Sequence, residues 1–98
     1  MIRALKKTGE RDWSLYVLRC GDGSLYTGIA KNVEARLKRH SLGKGAAYTR
    51  THLPVDLIYT ETGLSRSEAL VREAWLKRLP KPRKEKLIEI QAREKNRP

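Results

Sequence analysis

Five residues have types and spacings that could do chemistry together. Tyr16 and Tyr26 stand ten residues apart on two neighbouring apolar segments, Arg36 and His40 lie four apart, and Glu73 falls among apolar helical neighbours. A tyrosine can pass a proton or orient a water, more readily when neighbouring positive charge lowers its pKa. An arginine on or beside the inward face of a helix is costly unless it is paired or lines a cleft. Glu73 has Ala69, Leu70 and Leu76 as inward-looking neighbours and needs a cation, either a basic side chain or a bound metal. Each has a plainer reading: core and edge aromatics for the tyrosines, a snorkelling arginine beside a hydrogen-bonded structural histidine, and an ordinary helix glutamate.

The elements that must position them follow from pattern. Trp13 to Cys20 (WSLYVLRC) is rich in aromatic and branched residues and reads as a strand; Leu25 to Ala30 (LYTGIA) reads as its return across Gly21, Asp22 and Gly23. Gly28 inside that return strand marks a spot where another backbone or a ligand comes close. Asn32 is a good N-cap, with Val33, Leu37 and His40 at helical spacing until about Gly43. Residues 43–53 show no period and read as a long basic loop before Pro54. Val55 to Glu61 alternates as a third strand. Ser65 or Ser67 can cap a helix to about Leu79, with Glu68 as a solvated helix-start carboxylate. Pro82 suits the first residue of a last helix, 82–95, with Leu87, Ile88 and Ile90 as its apolar side. The order strand, strand, helix, strand, helix, helix predicts an α/β fold: a three-stranded, mostly antiparallel sheet flanked by helices.

These residues in this order resemble the GIY-YIG nuclease superfamily. LYVL with Tyr16, then Tyr26-Thr27-Gly28, then VEARLKRH, then a helix with an inward Glu73 match its motifs, and the GKGAAYTR loop is similar to that of its small stand-alone bacterial members. The likeness runs from about Trp13 to Leu79. It implies that Tyr16 and Tyr26 are the two motif tyrosines and Gly28 the motif glycine. It implies further that Arg36 contacts the scissile phosphate, that His40 fills a position often occupied by histidine, and that Glu73 holds one divalent cation, Mg²⁺ or Mn²⁺. Either tyrosine could be the base. The first motif departs as Ser14-Leu15-Tyr16, Ile29 and Ala30 stand where some relatives carry Lys and a hydroxyl residue, and the late Asn has no match outside Asn96. The resemblance also constrains the hairpin. A two-residue turn at Asp22 and Gly23 would set Tyr16 opposite Ile29 and the tyrosines on opposite faces, so a three-residue turn or a bulge is expected at Gly21–Ser24.

Charge points the same way. The 98 residues carry 22 Lys+Arg against 11 Asp+Glu, a formal net charge of +11, which favours polyanions. Residues 31–50 alone hold six basic side chains and one acid. Lys31, Arg39, Lys44, Tyr48 and Arg50 are the expected nucleic-acid contacts, cations for the backbone and an aromatic for base stacking. The chain has no room for a dedicated sequence reader, so a single strand, flap or junction in DNA suits it better than a long duplex site. A metal-dependent endonuclease of low sequence specificity is the first expectation. The others are a basic nucleic-acid-binding protein without catalysis and an accessory module of a DNA repair or recombination complex. The length predicts one domain over 1–98 with its core at about 13–79 and flexible tails at 1–12 and 96–98. The lone Cys20 reads as a core residue, and neither a membrane span nor a signal core is visible. A cytoplasmic monomer without a small-molecule cofactor is expected.

Overall fold

The computed structural model describes residues 11–96. Its elements are β1 (Trp13–Cys20), β2 (Leu25–Ala30), α1 (Val33–Ser41), α2 (Ala47–Arg50), β3 (Val55–Leu64), α3 (Arg66–Arg78) and α4 (Lys81–Lys95). The sheet is antiparallel in the order β2-β1-β3. Two differences from expectation stand out. The 43–53 segment is not all loop, because Ala47–Arg50 winds into one helical turn. Strand β3 also continues past Glu61 to Leu64, through Gly63 at φ +73°.

The hairpin has the predicted three-residue turn. Cys20 N donates to Ser24 O at 2.8 Å and Gly23 N to Cys20 O at 2.9 Å, with Gly23 at φ +88°. That left-handed residue is what a three-residue hairpin loop needs, and glycine adopts it without a Cβ penalty. The resulting register sets Tyr16 opposite Gly28 and Leu18 opposite Tyr26. Both tyrosines therefore face the same side.

As the central strand, β1 is covered on both faces, and Ser14 to Leu18 are all buried. On one face Tyr16, Leu18, Cys20, Ala30 and Val55 pack with Val33 and Leu37 of α1. On the other, Leu15, Val17, Tyr59 and Leu76 pack with Leu79, the C-cap of α3, and with Leu87 and Ile88 of α4. Burial of each large side chain is worth about 1.5–3 kcal/mol. A register shift between Val17 and Leu18 lets β3 supply Val55 to the first face and Tyr59 to the second.

Helix ends and edges are closed by specific polar groups. Asn32 Oδ1 caps α1 by accepting from Ala35 N at 2.9 Å. Ser65 and Glu68 form a reciprocal capping box on α3. The outer edge of β3 meets Gln91, whose amide accepts from Thr60 N at 3.1 Å and donates to Thr60 O at 2.7 Å. An exposed strand edge is a template for unwanted pairing, and α4 blunts it there. Of the expected tails, residues 1–10 and 97–98 lie outside the described residues. Arg11 is ion-paired to Glu68 at 3.1 Å, so Glu68 is not merely solvated, and Asn96 caps α4. No helix among the described residues is long and apolar enough to cross a membrane.

Candidate active site

The first sheet face carries a buried polar cluster where an ordinary core would be apolar. Tyr16 and His40 are each 1% exposed and Thr49 is fully buried. Tyr16 Oη lies 3.0 Å from His40 Nε2, and His40 Nδ1 lies 2.7 Å from Thr49 Oγ1. Three separate elements supply these groups: β1, the last turn of α1, and α2. Glycines make the approach possible. A Cβ on Gly28 would come 2.6 Å from Tyr16 Oη, so the partner pressing on Gly28 is the Tyr16 ring, not a distant backbone or a ligand. A Cβ on Gly45 would overlap the His40 imidazole.

Tyr26 lines the open side of this cluster, its ring centroid 5.3 Å from that of His40 and 6.4 Å from that of Tyr16. Tyr48 stacks against Tyr26 at 6.4 Å and on His52 at 4.0 Å, and its hydroxyl donates to Ser24 Oγ at 2.6 Å. The ring expected to receive a nucleobase thus already clamps α2 to the hairpin.

Beside Tyr26 and His40 opens a cleft of about 370 Å³ whose other walls include Arg36, Arg39, Lys44 and Gly45. It adjoins a second cleft of about 330 Å³ that shares Arg36 and Arg39 and adds Lys31 and Trp13. Arg36 is exposed, as the helical phase predicted for a residue flanking the buried arc. Lys31 rests over the Trp13 ring at 5.9 Å, with Arg66 also near that ring at 5.6 Å. Arg50 is exposed and lines neither cleft. A further cleft of about 410 Å³ near Arg11, Leu64, Val71 and Arg72 holds none of the expected residues.

Electrostatics revise one expectation. Positive charge does not lower the Tyr16 pKa overall: burial, with Tyr26 and Glu73 adding to it, outweighs Arg36 and pushes the phenol up to about 12. Burial, then the charges of Arg36 and Arg39, hold His40 below its ordinary pKa and keep it neutral near pH 7. The pair therefore rests as a phenol beside a neutral imidazole.

Glu73 lines neither cleft, but its carboxylate charge is felt at Tyr16. Its side chain is 20% exposed and pairs with Lys77 at 3.3 Å. Of its expected inward neighbours, Ala69 and Leu76 are buried, whereas Leu70 is 39% exposed. No group of three or more His, Cys, Asp or Glu side chains gathers among the described residues. A single carboxylate still fits Mg²⁺, which binds through one or two carboxylates, waters and substrate phosphates rather than an all-protein cage.

The GIY-YIG catalytic domain family matches residues 12–86. The chain belongs to the GIY-YIG family. Its relatives are of similar length. A UPF0213 protein of Streptococcus sanguinis is 52% identical over 84% of this chain and 92% of its own, and one of Bacillus licheniformis is 51% identical over 81% of both. The solution NMR structure of a UPF0213 protein from Bacillus halodurans is 41% identical with a TM-score of 0.53, covering 80% of this chain and 83% of that one. A protein from E. faecalis solved the same way gives the same identity and TM-score over 81% and 85%. The UPF0213 name carries no activity, so nuclease chemistry reaches this GIY-YIG chain through its catalytic-domain family.

Thr49 and Gly45 were not singled out from the sequence. A buried threonine in a segment with no period leaves no pattern, and only the GKGAAYTR stretch as a whole marked the place.

Proposed function

We propose that this GIY-YIG protein is a divalent-metal-dependent endonuclease hydrolysing phosphodiester bonds of single-stranded or structured DNA, with low sequence specificity. The observation that carries the reading is the buried Tyr16–His40 pair, at 3.0 Å, beside a cleft walled by Arg36, Arg39 and Lys44. A basic cleft alone would suit any polyanion. A neutral proton-accepting pair set behind it serves a reaction.

In this reading Arg36 faces the phosphoryl oxygens and offsets the charge that develops on them, with Arg39 and Lys44 holding the backbone. Tyr16 Oη takes a proton from the attacking water while passing its own to His40 Nε2. Tyr16 then never has to stand as a free phenolate, which suits a phenol with a pKa of about 12. This choice favours Tyr16 over Tyr26 as the proton-transferring tyrosine. Glu73 would hold the cation, Mg²⁺ or Mn²⁺, which supplies Lewis-acid stabilisation of phosphate charge when bound.

A second reading, a DNA-binding protein without catalysis, rests on the Glu73–Lys77 pair, because Lys77 satisfies that carboxylate with no metal. Cleavage of labelled single-stranded, duplex and flap DNA with Mg²⁺ or Mn²⁺ separates the two. Metal-dependent cutting by the wild type, lost in Glu73→Ala while binding survives, is the expected outcome. Binding without cutting on every substrate and with both metals would transfer the case to the second reading.

A further inference from the structure

The loop between α1 and β3 has an inner surface as well as a basic outer one, and the inner surface is built around His40. Thr49 is fully buried, yet its hydroxyl makes two hydrogen bonds: it donates to Ala46 O at 2.9 Å and meets His40 Nδ1 at 2.7 Å. The polarity of this chain follows from counting protons. A carbonyl only accepts, and a threonine hydroxyl has one proton. With that proton on Ala46 O, the Thr49 oxygen must accept from His40 Nδ1–H. A neutral imidazole has one N–H, so Nε2 is left as an acceptor, facing Tyr16 Oη at 3.0 Å. The opposite polarity, Thr49 donating to Nδ1 and Nε2–H donating to Tyr16, makes one hydrogen bond fewer. Ala46 O would then keep only the Arg50 N–H at 3.1 Å, and the Tyr16 proton would have no partner in the cluster.

We infer that Thr49 is a positioning residue that fixes His40 in the Nδ1–H tautomer, so that Nε2 can receive the Tyr16 proton. The inference rests on the nuclease reading and adds a residue to its machinery. The identity of the protonated ring nitrogen is set by the hydrogen bond the other one makes, and here that bond comes from a one-turn helix. Gly45 contributes by absence, since a side chain there would occupy the imidazole's place. Gly43, at φ +76°, begins the turn that brings the segment back over the ring. Arg39 Nη2 ties the start of the same turn by donating to Lys44 O at 3.2 Å. The segment that sequence pattern assigned to the nucleic acid thus also orients the imidazole that receives the Tyr16 proton.

The test is spectroscopic and kinetic. Long-range ¹H–¹⁵N correlation spectra of the full chain distinguish imidazole tautomers, and a His52→Gln variant assigns the two histidines. The wild type should show His40 as the Nδ1–H form. Thr49→Val, which keeps the shape and removes the acceptor, should shift His40 toward the Nε2–H form. It should also lower kcat for DNA cleavage by roughly 10- to 100-fold, by analogy with loss of the hydrogen-bond partner behind a metal-ligating histidine, while KM moves less than about twofold. Thr49→Ser should restore both tautomer and kcat. An Nε2–H form in the wild type overturns the inference with no variant needed. So does an unchanged tautomer in a folded Thr49→Val, or a changed tautomer with unchanged kcat. A wild type that cuts no DNA would overturn the nuclease reading and the catalytic half of this inference, whereas the spectra judge the positioning half independently.

Discussion

The two faces of the sheet are built from alternate residues of one strand and solve opposite problems. From β1, Leu15 and Val17 go to a face that is apolar apart from ion pairs at its margin, closed by Leu76, Leu79 and Leu87. At that margin Arg72 holds the Glu61 carboxylate with two hydrogen bonds of 2.9 and 2.7 Å, and Arg19 holds Glu85 at the same two distances. Tyr16 goes to the other face, where His40 and Thr49 set a hydrogen-bonded polar chain beside Leu18 and Leu37. Buried polar groups are tolerated only when hydrogen-bonded, and a satisfied network specifies one arrangement. One face is therefore closed mainly by apolar packing, and the other carries the polar cluster to which the proposed chemistry is assigned.

Substitutions can break this division of labour. Tyr16→Phe keeps the ring over Gly28 and removes only the hydroxyl. Cleavage should fall by about 10³-fold, within the range for lost proton transfer, while denaturant unfolding shows a loss of only about 1–2 kcal/mol for the buried bond. An active Tyr16→Phe protein would end the idea that this face carries the chemistry. Leu15→Ala should do the reverse. It should cost about 2–5 kcal/mol of unfolding free energy, with cleavage per folded molecule close to wild type.

Acid should act on the chemical face first. The folded-state pKa of His40 lies below its unfolded value, so the unfolded chain binds the proton more readily. The stability due to keeping His40 neutral is present above the ordinary histidine pKa of about 6.5 and is lost as pH falls below it. Thermal melts from pH 7.5 to 5.5 should drop further for wild type than for His40→Gln. Glu61 and Glu85, held down chiefly by hydrogen bonds from Arg72 and Arg19, lose their contribution only as pH falls below the ordinary glutamate range. Equal drops for the two proteins down to pH 5.5 would assign the acid sensitivity elsewhere. The smallest effect belongs to Glu85→Gln at the margin of the stable face. The pair is about one-third exposed on each side, so the loss should be about 1 kcal/mol or less and should shrink in high salt.

Much of this was legible in the chain. Aromatic and branched residues in WSLYVLRC and the turn signal before LYTGIA placed the first two strands, Asn32 placed the start of α1, and helical phase put His40 inward with Arg36 beside it. These are local properties, in which a period of two or 3.6 residues is written directly into residue order. The three-residue turn, or a bulge, followed once the family resemblance required Tyr16 and Tyr26 on one face, because side-chain alternation excludes a two-residue turn there.

Only tertiary structure decided the rest. Thr49 lies nine residues from His40, on a one-turn helix without apolar periodicity, and its burial depends on where the loop returns over α1. The close approaches at Gly28 and Gly45 are set by rings from other elements. The raised pKa of Tyr16 reflects burial, reinforced by Tyr26 and Glu73, outweighing Arg36. Residue order by itself determined which groups were available and which faces they took. Packing decided their protonation and partners, because desolvation and hydrogen-bond polarity depend on neighbours distant in the chain.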